Sequence, residues 1–405
     1  MLTATTLDNQ KIVLPCSSVL ANKYDTYVEN NIILDLVNIF SAVYMADIGT
    51  VRRQGTGSSI HVTVQVSEEN IDKWNNYIDL IIELLNFVTE GDNDIWSVNF
   101  VPVQYQLPNK QLVFDVVDTL DYDNVSLLSG GLDSFCGIYK NQIEDRTPLY
   151  CGYKTNNVDA SYITKVYEFA KHINPQSDLC LFEKVDANKV THTQRTRSLL
   201  FFSLACFSAT WRKLKTVYVH ENGIMTLNPS FESRGTTKTT HPKTIYLYQK
   251  LLRVVGIDIT IVNPFLFFTK GEMISSLPPQ YREQIKNTRS CSRSLQGTRY
   301  MGKDIINCGA CVPCLLRKIS LAAYDMEGYD HNYFIPYQGG FMDDEYNSAF
   351  SYFERFSKAI DNGTIFAQLG IKKAYYSDTN YYEKTNDMLN RFNNELETFF
   401  RKYGR

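Results

Sequence analysis

The sequence has no marked excess of either charge and no long uninterrupted apolar run. Its 405 residues carry a formal net charge of −3, so the chain lacks the basic excess with which general nucleic-acid binders release counterions from phosphates. The most conspicuous apolar stretches, residues 80–88 and 199–209, are too short or too interrupted to cross a bilayer. The first residues show neither the charged nor the apolar region of a signal peptide. We therefore expect a cytoplasmic protein with no membrane partner and no general nucleic-acid partner.

Neither of the two commonest phosphate-binding fingerprints occurs at the main glycine-rich segment. There is no G-x-x-x-x-G-K-[ST] sequence there, and no G-x-G-x-x-G sequence follows a strand. Instead, the apolar run 125–128 leads into Ser-Gly-Gly and then into a helical pattern, which places unpaired N–H groups at a helix start that favours an anion. The acid in this segment suits a Mg²⁺ ion that bridges to phosphates. The predicted nucleotide-binding residues are Ser129, Gly130, Gly131, Leu132, Asp133 and Ser134.

Cysteine is scarce, at nine residues, but four of the nine are spaced as metal ligands. Cys291 precedes a compact C-x-x-C-x-x-C group formed by Cys308, Cys311 and Cys314. Four thiolates fit one tetrahedral Zn²⁺ ion, and a site with four protein ligands is closed, so the metal would be structural. The alternatives are an iron–sulfur cluster and unliganded thiols, although a ferredoxin-type run would place its fourth cysteine close after the triplet.

The glycine-rich segment resembles the PP-loop of the ATP pyrophosphatases, which cleave ATP between its α and β phosphates and adenylate a second substrate. Together with the cysteines it resembles the 7-cyano-7-deazaguanine synthase (QueC) family, in which a PP-loop is followed by T-x-S-C, C-G-x-C-x-x-C and an arginine. Here those motifs are residues 288–291 and 308–314 with Arg317, and residues 269–272 resemble the T-K-x-E segment of the family. The likeness covers residues 110–330.

This resemblance implies a PP-loop α/β fold and an AMP-forming ligase that uses ATP, Mg²⁺ and structural Zn²⁺. A carboxylate, by analogy that of 7-carboxy-7-deazaguanine, would attack the α-phosphate; ammonia would then attack the adenylate, and a second activation would give the nitrile. The catalytic candidates are Asp133, Lys270 and Arg197, the last two as contacts to phosphate or substrate. A lysine at a predicted helix start opposes the helix dipole, so a nearby phosphate would account for Lys270. Thr269 and Glu272 fit a capping box.

The substrate segment of the family is replaced in this chain. In place of its aspartate- and cysteine-rich sequence, the strand at 216–220 is followed by Glu221, Asn222 and Gly223, which are the candidate substrate contacts. Residues 1–115 add a segment before the PP-loop domain. These traits resemble the QueC-like proteins of bacterial antiphage systems such as Qat and type IV CBASS. That likeness implies defence rather than tRNA modification, with an amine of a partner protein from the same operon as a second type of acceptor.

Hydrophobic periodicity predicts an α/β protein of three units. Residues 1–115 predict an α+β accessory domain without a chemical motif, which favours a structural or dimerisation module over a partner-docking one. Residues 116–325 predict a parallel sheet with helices on both faces and a ligand crevice at the carboxyl ends of its strands. Residues 326–405 predict an aromatic-rich helical extension. The predicted elements are helices at 32–44, 71–85 and 388–403 and strands at 60–66, 95–103, 125–128, 149–153, 179–182, 217–219 and 259–262.

Two other classes of protein remain open. A PP-loop sulfurtransferase acting on tRNA would use catalytic cysteines or a cluster, and a catalytically silent sensor would bind ATP without forming AMP. The C-terminal aromatic residues are expected in the core, with a base-stacking platform as the alternative. His192, His220 and His241 are expected to be ordinary surface or core residues, because no two histidines have metal-binding spacing.

Overall fold

The computed structural model of the chain is an α/β protein built on parallel sheets. It describes residues 2–5, 11–14, 31–51, 57–90, 93–104, 121–182, 184, 195–231, 237–292, 307–340 and 342–404. The strands in these ranges are β1 (Leu2–Thr5), β2 (Lys11–Leu14), β3 (Ser59–Ser67), β4 (Ile95–Val103), β5 (Asn124–Leu127), β6 (Pro148–Tyr153), β7 (Asp178–Phe182), β8 (Thr216–Tyr218) and β9 (Thr260–Val262). The helices are α1 (Asn31–Gly49), α2 (Ile71–Asn76), α3 (Ile78–Val88), α4 (Leu132–Ile143), α5 (Asn157–Ile173), α6 (Arg197–Trp211), α7 (Gly223–Leu227), α8 (Pro242–Val255), α9 (Lys270–Ser275), α10 (Pro279–Arg282), α11 (Val312–Ala322), α12 (Asp344–Asp361), α13 (Ile365–Leu369) and α14 (Tyr381–Tyr403).

A five-stranded parallel sheet forms the centre of the molecule, in the order β7-β6-β5-β8-β9. On one side of β5, Val125 lies opposite Leu149 of β6, and on the other side it lies opposite Val217 of β8. The chain therefore builds outward from β5 first in one direction and then in the other. Ligands of open parallel sheets bind outside the carboxyl ends of the strands at such a switch point. The five predicted strands and their parallel arrangement are confirmed, and their ends differ by no more than one residue from the prediction.

Helices cover both faces of this sheet because its central strands are apolar on both sides. β6 is buried along its whole length, which is typical of a strand in a covered parallel sheet. On one face, Val125 and Leu149 share a core with α1, α6 and α8. On the other face, Leu128 and Tyr150 pack with α4, α5 and the segment that contains α9 and α10. This arrangement leaves only the strand ends open to a ligand.

The N-terminal segment packs on the helical layer of the central sheet. α1 lies against α6, and one continuous hydrophobic core contains residues of both helices and of α8. β3 and β4 pair in parallel, with Val62 opposite Val98, and α2 and α3 form the crossover between them. The predicted helix and strands of this segment are confirmed, except that the helix expected at 71–85 is broken at Tyr77. The predicted domain boundary at 115/116 lies outside the described residues.

α1 is the one helix of the described ranges whose length and composition would allow it to cross a membrane. This stretch, which contains the predicted helix at 32–44, includes Asp35 and Asp47. In the structure 89% of its apolar window is buried inside the protein. The carboxylate of Asp35 accepts hydrogen bonds from the backbone N–H of Ser67 at 2.7 Å and from Nε1 of Trp74 at 3.0 Å. A helix that is buried to this extent, with the carboxylate of Asp35 hydrogen-bonded, is a core helix.

The C-terminal segment is helical, as predicted, and packs around the cysteine group. α14 begins at Tyr381, earlier than the predicted 388. Its buried face meets α11 and α12 in a core that also contains the four predicted metal-binding cysteines. The expectation that the aromatic residues of this segment lie in the core is confirmed for Tyr346, Phe350, Tyr352, Phe353, Phe356, Phe392 and Phe399. It is wrong for Phe334 and Tyr382, whose side chains are exposed.

Candidate functional site

The glycine-rich turn after β5 is closed by its own hydroxyl groups. The backbone N–H of Ser129 donates to Oγ of Ser134 at 3.3 Å, and that Oγ donates to the carbonyl of Gly131 at 3.0 Å. Gly130 has a φ of +74°, and a Cβ there would lie 2.8 Å from the backbone nitrogen of Ile163. Only glycine combines this backbone conformation with so close a neighbour. The two motif serines and Gly130 therefore fix the shape of the loop.

The same turn opens α4 without a capping side chain. Gly131 is the N-cap residue, and because it has no side chain it caps none of the N–H groups of the first turn. α4 is twelve residues long, so its N-terminus carries the full partial positive charge of an α-helix. Backbone N–H groups in this position bind phosphate oxygens readily. The geometry is that of an anion-binding turn at the switch point of the sheet.

Asp133, in the first turn of α4, is part of a buried charged cluster. Nζ of Lys270 lies 2.7 Å from Oδ2 of Asp133, with the two side chains 5% and 12% exposed. The side-chain amide of Asn222 donates to the same oxygen at 3.2 Å and to Oε1 of Glu221 at 3.2 Å. The sequence elements that meet here are α4, the turn after β8 and the start of α9. Four of the predicted site residues are thus brought together from three distant parts of the chain.

The two carboxyl groups of this cluster have opposite pKa shifts. Burial raises the pKa of Asp133, but the Lys270 ammonium and the hydrogen bonds to the carboxylate outweigh burial and hold it below the ordinary value. Burial and the nearby charge of Asp133 raise the pKa of Glu221 well above its ordinary value. Among the described residues no N–H or O–H donor reaches Oδ1 of Asp133. The pair is therefore suited either to share one proton or to bind a divalent cation through carboxylate oxygens.

The cluster and the glycine-rich turn line one cleft of about 750 Å³. That volume lies in the range of small-molecule sites. Nη1 of Arg197, at the start of α6, lies 3.5 Å from Oγ1 of Thr155, and its guanidinium stands 5.4 Å from the ring centre of Phe201. The α6 start is held in place by Asp47 of α1, which accepts a hydrogen bond from Oγ1 of Thr196 at 2.6 Å. The cleft thus has cationic groups at both Lys270 and Arg197.

The predicted site residues divide between the cleft wall and the layer behind it. Those that line the cleft are Ser129, Gly131, Leu132, Asp133, Ser134, Arg197, Glu221, Lys270 and Cys291. Gly130 is buried beneath the loop, and Asn222 and Gly223 lie behind the described wall of the cleft. Asn222 accepts a hydrogen bond from the N–H of Met225 and caps α7. The predicted role of Asn222 and Gly223 as substrate contacts stays a prediction.

The four predicted metal-binding cysteines form one buried group. Their sulfur atoms all lie within 4.8 Å of one another, and Sγ of Cys308 is 3.8 Å from Sγ of Cys314. Zn–S bonds of ~2.3 Å in a tetrahedron would place sulfurs ~3.8 Å apart. The backbone N–H groups of Ala310 and Cys311 point at Sγ of Cys308 at 3.4 Å each. Such donors stabilise the thiolate form, which is the form that binds Zn²⁺. The group could therefore hold a structural metal ion.

Arg317 ties the cysteine group to the cleft. Its side chain is fully buried and pairs with Asp330 at 2.7 Å. Its Nη1 donates to Oγ1 of Thr288 at 2.8 Å and to Oγ of Ser290 at 3.2 Å. The residue between these two, Arg289, donates its backbone N–H to the carbonyl of Gly130 at 3.0 Å. The segment 288–291 therefore connects the four-cysteine group directly with the glycine-rich turn.

Sequence reasoning missed two groups that shape this region. Arg289 forms an ion pair with Asp159 of α5 at 2.7 Å, and both residues line the cleft. The only signal in the sequence was that Asp159 follows β6 closely, at a strand end. Glu395 of α14, which is 4% exposed, accepts a hydrogen bond from Oγ1 of Thr269. Nothing in the sequence relates these two residues, which are 126 positions apart.

His220 and His241 are both buried, and His220 also lines the cleft. His220 is buried beside Gly137 of α4, and burial together with the positive charge of Arg146 lowers its pKa to about 3. His241 accepts a hydrogen bond from the N–H of Lys243 as the cap of α8, and its Nε2 lies 2.8 Å from the carbonyl of Leu369. Burial lowers the pKa of His241 to about 4. His192 lies outside the described residues.

Comparison with known proteins adds no family to this geometry. No model of a known protein family matches the chain, and no curated protein matches it significantly.

Proposed function

We propose that the protein is a QueC-like, AMP-forming ligase that activates a carboxylic acid with ATP and transfers the acyl group to a nitrogen nucleophile. The observation that carries this proposal is the convergence of three features in one cleft. They are the uncapped start of α4, the glycine-rich turn, and the buried cluster of Asp133, Lys270 and Glu221. Such a cleft offers donors, a cation and acceptors to a phosphate chain.

The phosphates of ATP would lie on the glycine-rich turn. The N–H groups at the start of α4 would bind the phosphate oxygens, and the hydroxyls of Ser129 and Ser134 would add donors. Asp133 and Glu221 would hold Mg²⁺, which supplies charge neutralisation for the departing pyrophosphate. Lys270 would stabilise the same negative charge from the opposite side of Asp133. The four-cysteine group would hold Zn²⁺ as a structural element.

The acid would be bound between the phosphates and the start of α6. One carboxylate oxygen attacks the α-phosphorus, the bond from that phosphorus to the bridging oxygen breaks, and pyrophosphate leaves. The nitrogen of an amine then attacks the acyl carbon, and AMP leaves. Arg197, one of the cationic residues of the cleft wall, would orient the acid. The chain contributes positioning and charge stabilisation, and no covalent protein nucleophile is needed.

The identity of the acid and of the amine comes from the resemblance of the sequence motifs. By that resemblance the acid is 7-carboxy-7-deazaguanine. The acceptor is either ammonia, as in nitrile synthesis, or an amine of a partner protein, as suits the QueC-like proteins of antiphage systems. Glu221 stands in the segment where the family binds its substrate, so the buried carboxyl group is also the first candidate for contact with the deazapurine. A homodimer is compatible with this assignment.

A sulfurtransferase is a poorer fit to the cysteines. All eight cysteines of the described residues are buried, whereas a catalytic thiol must meet its substrate in an accessible site. Cys291 does line the cleft, but it belongs to the four-cysteine group. Four of the eight belong to the metal-binding group, whose sulfur atoms are mutually within 4.8 Å. A silent ATP sensor would share the whole cleft with the proposed ligase and differs from it only in turnover.

The test is release of pyrophosphate and AMP from ATP, Mg²⁺ and 7-carboxy-7-deazaguanine, with ammonia withheld and the products weighed by mass spectrometry. We expect release that depends on the acid and that is lost in Asp133→Asn. The matched control is Asp145→Asn, an exposed aspartate just beyond the other end of α4, which should keep wild-type turnover.

Three outcomes are informative. Acid-dependent AMP formation supports the proposal, and the product mass distinguishes a nitrile from a protein adduct. ATP binding without AMP, whatever acid is added, would establish the sensor instead. Full turnover in Asp133→Asn would remove the buried cluster from the reaction.

A further inference from the structure

The C-terminal helix α14 contacts the segment that carries the cleft lysine. Oγ1 of Thr269, the residue before Lys270, donates a hydrogen bond to Oε1 of Glu395. Nε of Arg391, one turn earlier on the same helix, lies 2.5 Å from Oε1 of Glu272. Thr269 and Glu272 are the two members of the capping box that begins α9. Two residues of α14 therefore bind both ends of the motif that orients Lys270.

The glycine in this motif is explained by the same helix. A Cβ at Gly271 would overlap Oε1 of Glu395 and the ring of Tyr324. The φ of Gly271 is not in the left-handed region, so the glycine is needed for space rather than for backbone conformation. The glycine of the T-K-G-E segment therefore leaves the space that the close approach of α14 requires.

α14 also packs against the turn after β8, which contributes Glu221 and Asn222 to the buried cluster. A Cβ at Gly223 would overlap Sδ of Met388 on α14 and the carbonyl oxygen of Leu266. The N–H of Gly223 donates to the carbonyl of Phe268 at 2.8 Å. The preceding residue, Asn222, is the one that bridges the two carboxyl groups of the cluster. One helix thus packs against both segments of the cluster, the one that contains Lys270 and the one that contains Glu221 and Asn222.

We propose that α14 is the positioning element of the active site, with Glu395 as the residue that holds the Lys270 turn in place against Asp133. This inference rests on the proposed function, because it assigns to α14 the alignment of the groups that would act on ATP. Glu395 and Met388 touch no wall of the described cleft, so they are positioning residues and not catalytic ones.

The chemistry of the contact suits this role. A lysine ammonium is a compact charge on a flexible stem, so its position depends on the anchoring of its backbone. Burial, and then the charge of Glu272, raise the pKa of Glu395 to about 8, while Thr269, Tyr324 and Arg391 lower it. At neutral pH the carboxyl group is mostly protonated. It can bind Thr269 without adding a negative charge that would compete with Asp133 for the ammonium group.

The position of Lys270 can be measured without nucleotide. The full-length protein is treated briefly with acetic anhydride, and acetylation of each lysine is quantified by peptide mass spectrometry. Lys270 is 5% exposed and paired with Asp133, so it should react slowly, whereas Lys215, which is 76% exposed and paired only with the exposed Asp258, should react fast. We expect Glu395→Ala to raise the acetylation rate of Lys270 at least tenfold and to leave Lys215 unchanged.

Matched variants separate positioning from general damage. Glu395→Gln mimics the protonated carboxyl group and should keep the slow wild-type rate. Glu397→Ala, exposed on the same helix, should do so as well. If Glu395→Ala fails to fold, Arg391→Ala removes the second contact at a partly exposed residue and should raise the rate at least threefold. A wild-type rate for Lys270 in a folded Glu395→Ala or Arg391→Ala protein would overturn the inference.

The same variants keep this inference separate from the proposed function. ATP titration of the wild type, followed by isothermal calorimetry, tests nucleotide binding alone. Faster acetylation of Lys270 in a protein that binds no ATP would uphold the positioning role and refute the ligase. Unchanged acetylation in a protein that does form AMP would leave the ligase intact and refute the positioning role.

Discussion

Glu395 gives the sharpest prediction, because its burial makes stability depend on pH. The folded pKa is raised to about 8, against an ordinary glutamate value near 4.3 in the unfolded chain. The folded state therefore binds a proton that the unfolded state releases, and stability falls as pH rises from the unfolded pKa towards the folded one. For one such group the loss is about 1 kcal/mol at pH 5, about 4 kcal/mol at pH 7 and about 5 kcal/mol at pH 9.

Glu395→Gln removes this loss because the amide does not ionise. The amide can still accept the hydrogen bond from Thr269, but its NH₂ group would replace Oε2, which has no hydrogen-bond partner among the described residues. That unsatisfied donor costs roughly 1–3 kcal/mol at every pH. The informative quantity is therefore the change with pH. Relative to wild type, the variant should gain about 4 kcal/mol between pH 5 and pH 9.

Urea unfolding at pH 5, 7 and 9 measures this change directly. Glu397→Gln, at an exposed position of the same helix, is the matched control and should track wild type at each pH. A stability difference between Glu395→Gln and wild type that stays constant within about 1 kcal/mol from pH 5 to pH 9 would refute the reasoning. It would mean that Glu395 is solvated or already ionised in the folded protein.

Three further predictions concern the cleft and the cysteine group. Gly130→Ala should abolish ATP binding and lower the free energy of unfolding by about 1–3 kcal/mol, whereas Gly328→Ala, where a Cβ meets no atom, should leave binding unchanged in the same titration. Lys270→Met should cost about 3–5 kcal/mol because it leaves a buried carboxylate unpaired, and adding Asp133→Asn should recover most of that loss in a double-mutant cycle. Cys311→Ser should lower the zinc content of the purified protein, measured by native mass spectrometry, and reduce its solubility; a stable variant with a full metal complement would contradict the structural role.

The parts of the fold that could be predicted from the sequence are those with strong local signals. Apolar runs bounded by turns predicted all five strands of the central sheet, because strands covered on both faces are largely apolar. The Ser-Gly-Gly turn between β5 and α4 could be placed because adjacent glycines after an apolar run indicate a turn, and Gly130 has a positive φ in the structure. The cysteine group could be placed because ligand spacing follows metal geometry. Each of these signals is contained within a few residues.

The contacts that complete the site were not predictable, because they join residues far apart in the chain. Lys270 and Asp133 are 137 positions apart, and Thr269 and Glu395 are 126 positions apart. From its local sequence alone, each residue of these pairs could equally be an ordinary surface residue of a helix. The break in the predicted helix at Tyr77 is a smaller case of the same problem. Tertiary packing decides these features, and the periodicity of one segment does not report it.

The contacts between the four-cysteine group and the glycine-rich turn link the two proposed binding sites. The hydroxyl groups of Ser129 and Ser134 close the turn, and a neighbouring segment adds further support. The carbonyl of Gly130 accepts the N–H of Arg289 at 3.0 Å, and Arg289 lies two residues before Cys291, a member of the four-cysteine group. Arg317 lies three residues after Cys314, and its Nη1 donates to Oγ1 of Thr288 at 2.8 Å. A metal ion bound by Cys291 and Cys314 would therefore fix the segment 288–291 and the helix that carries Arg317 relative to each other. Its removal should loosen the turn before it unfolds the central sheet.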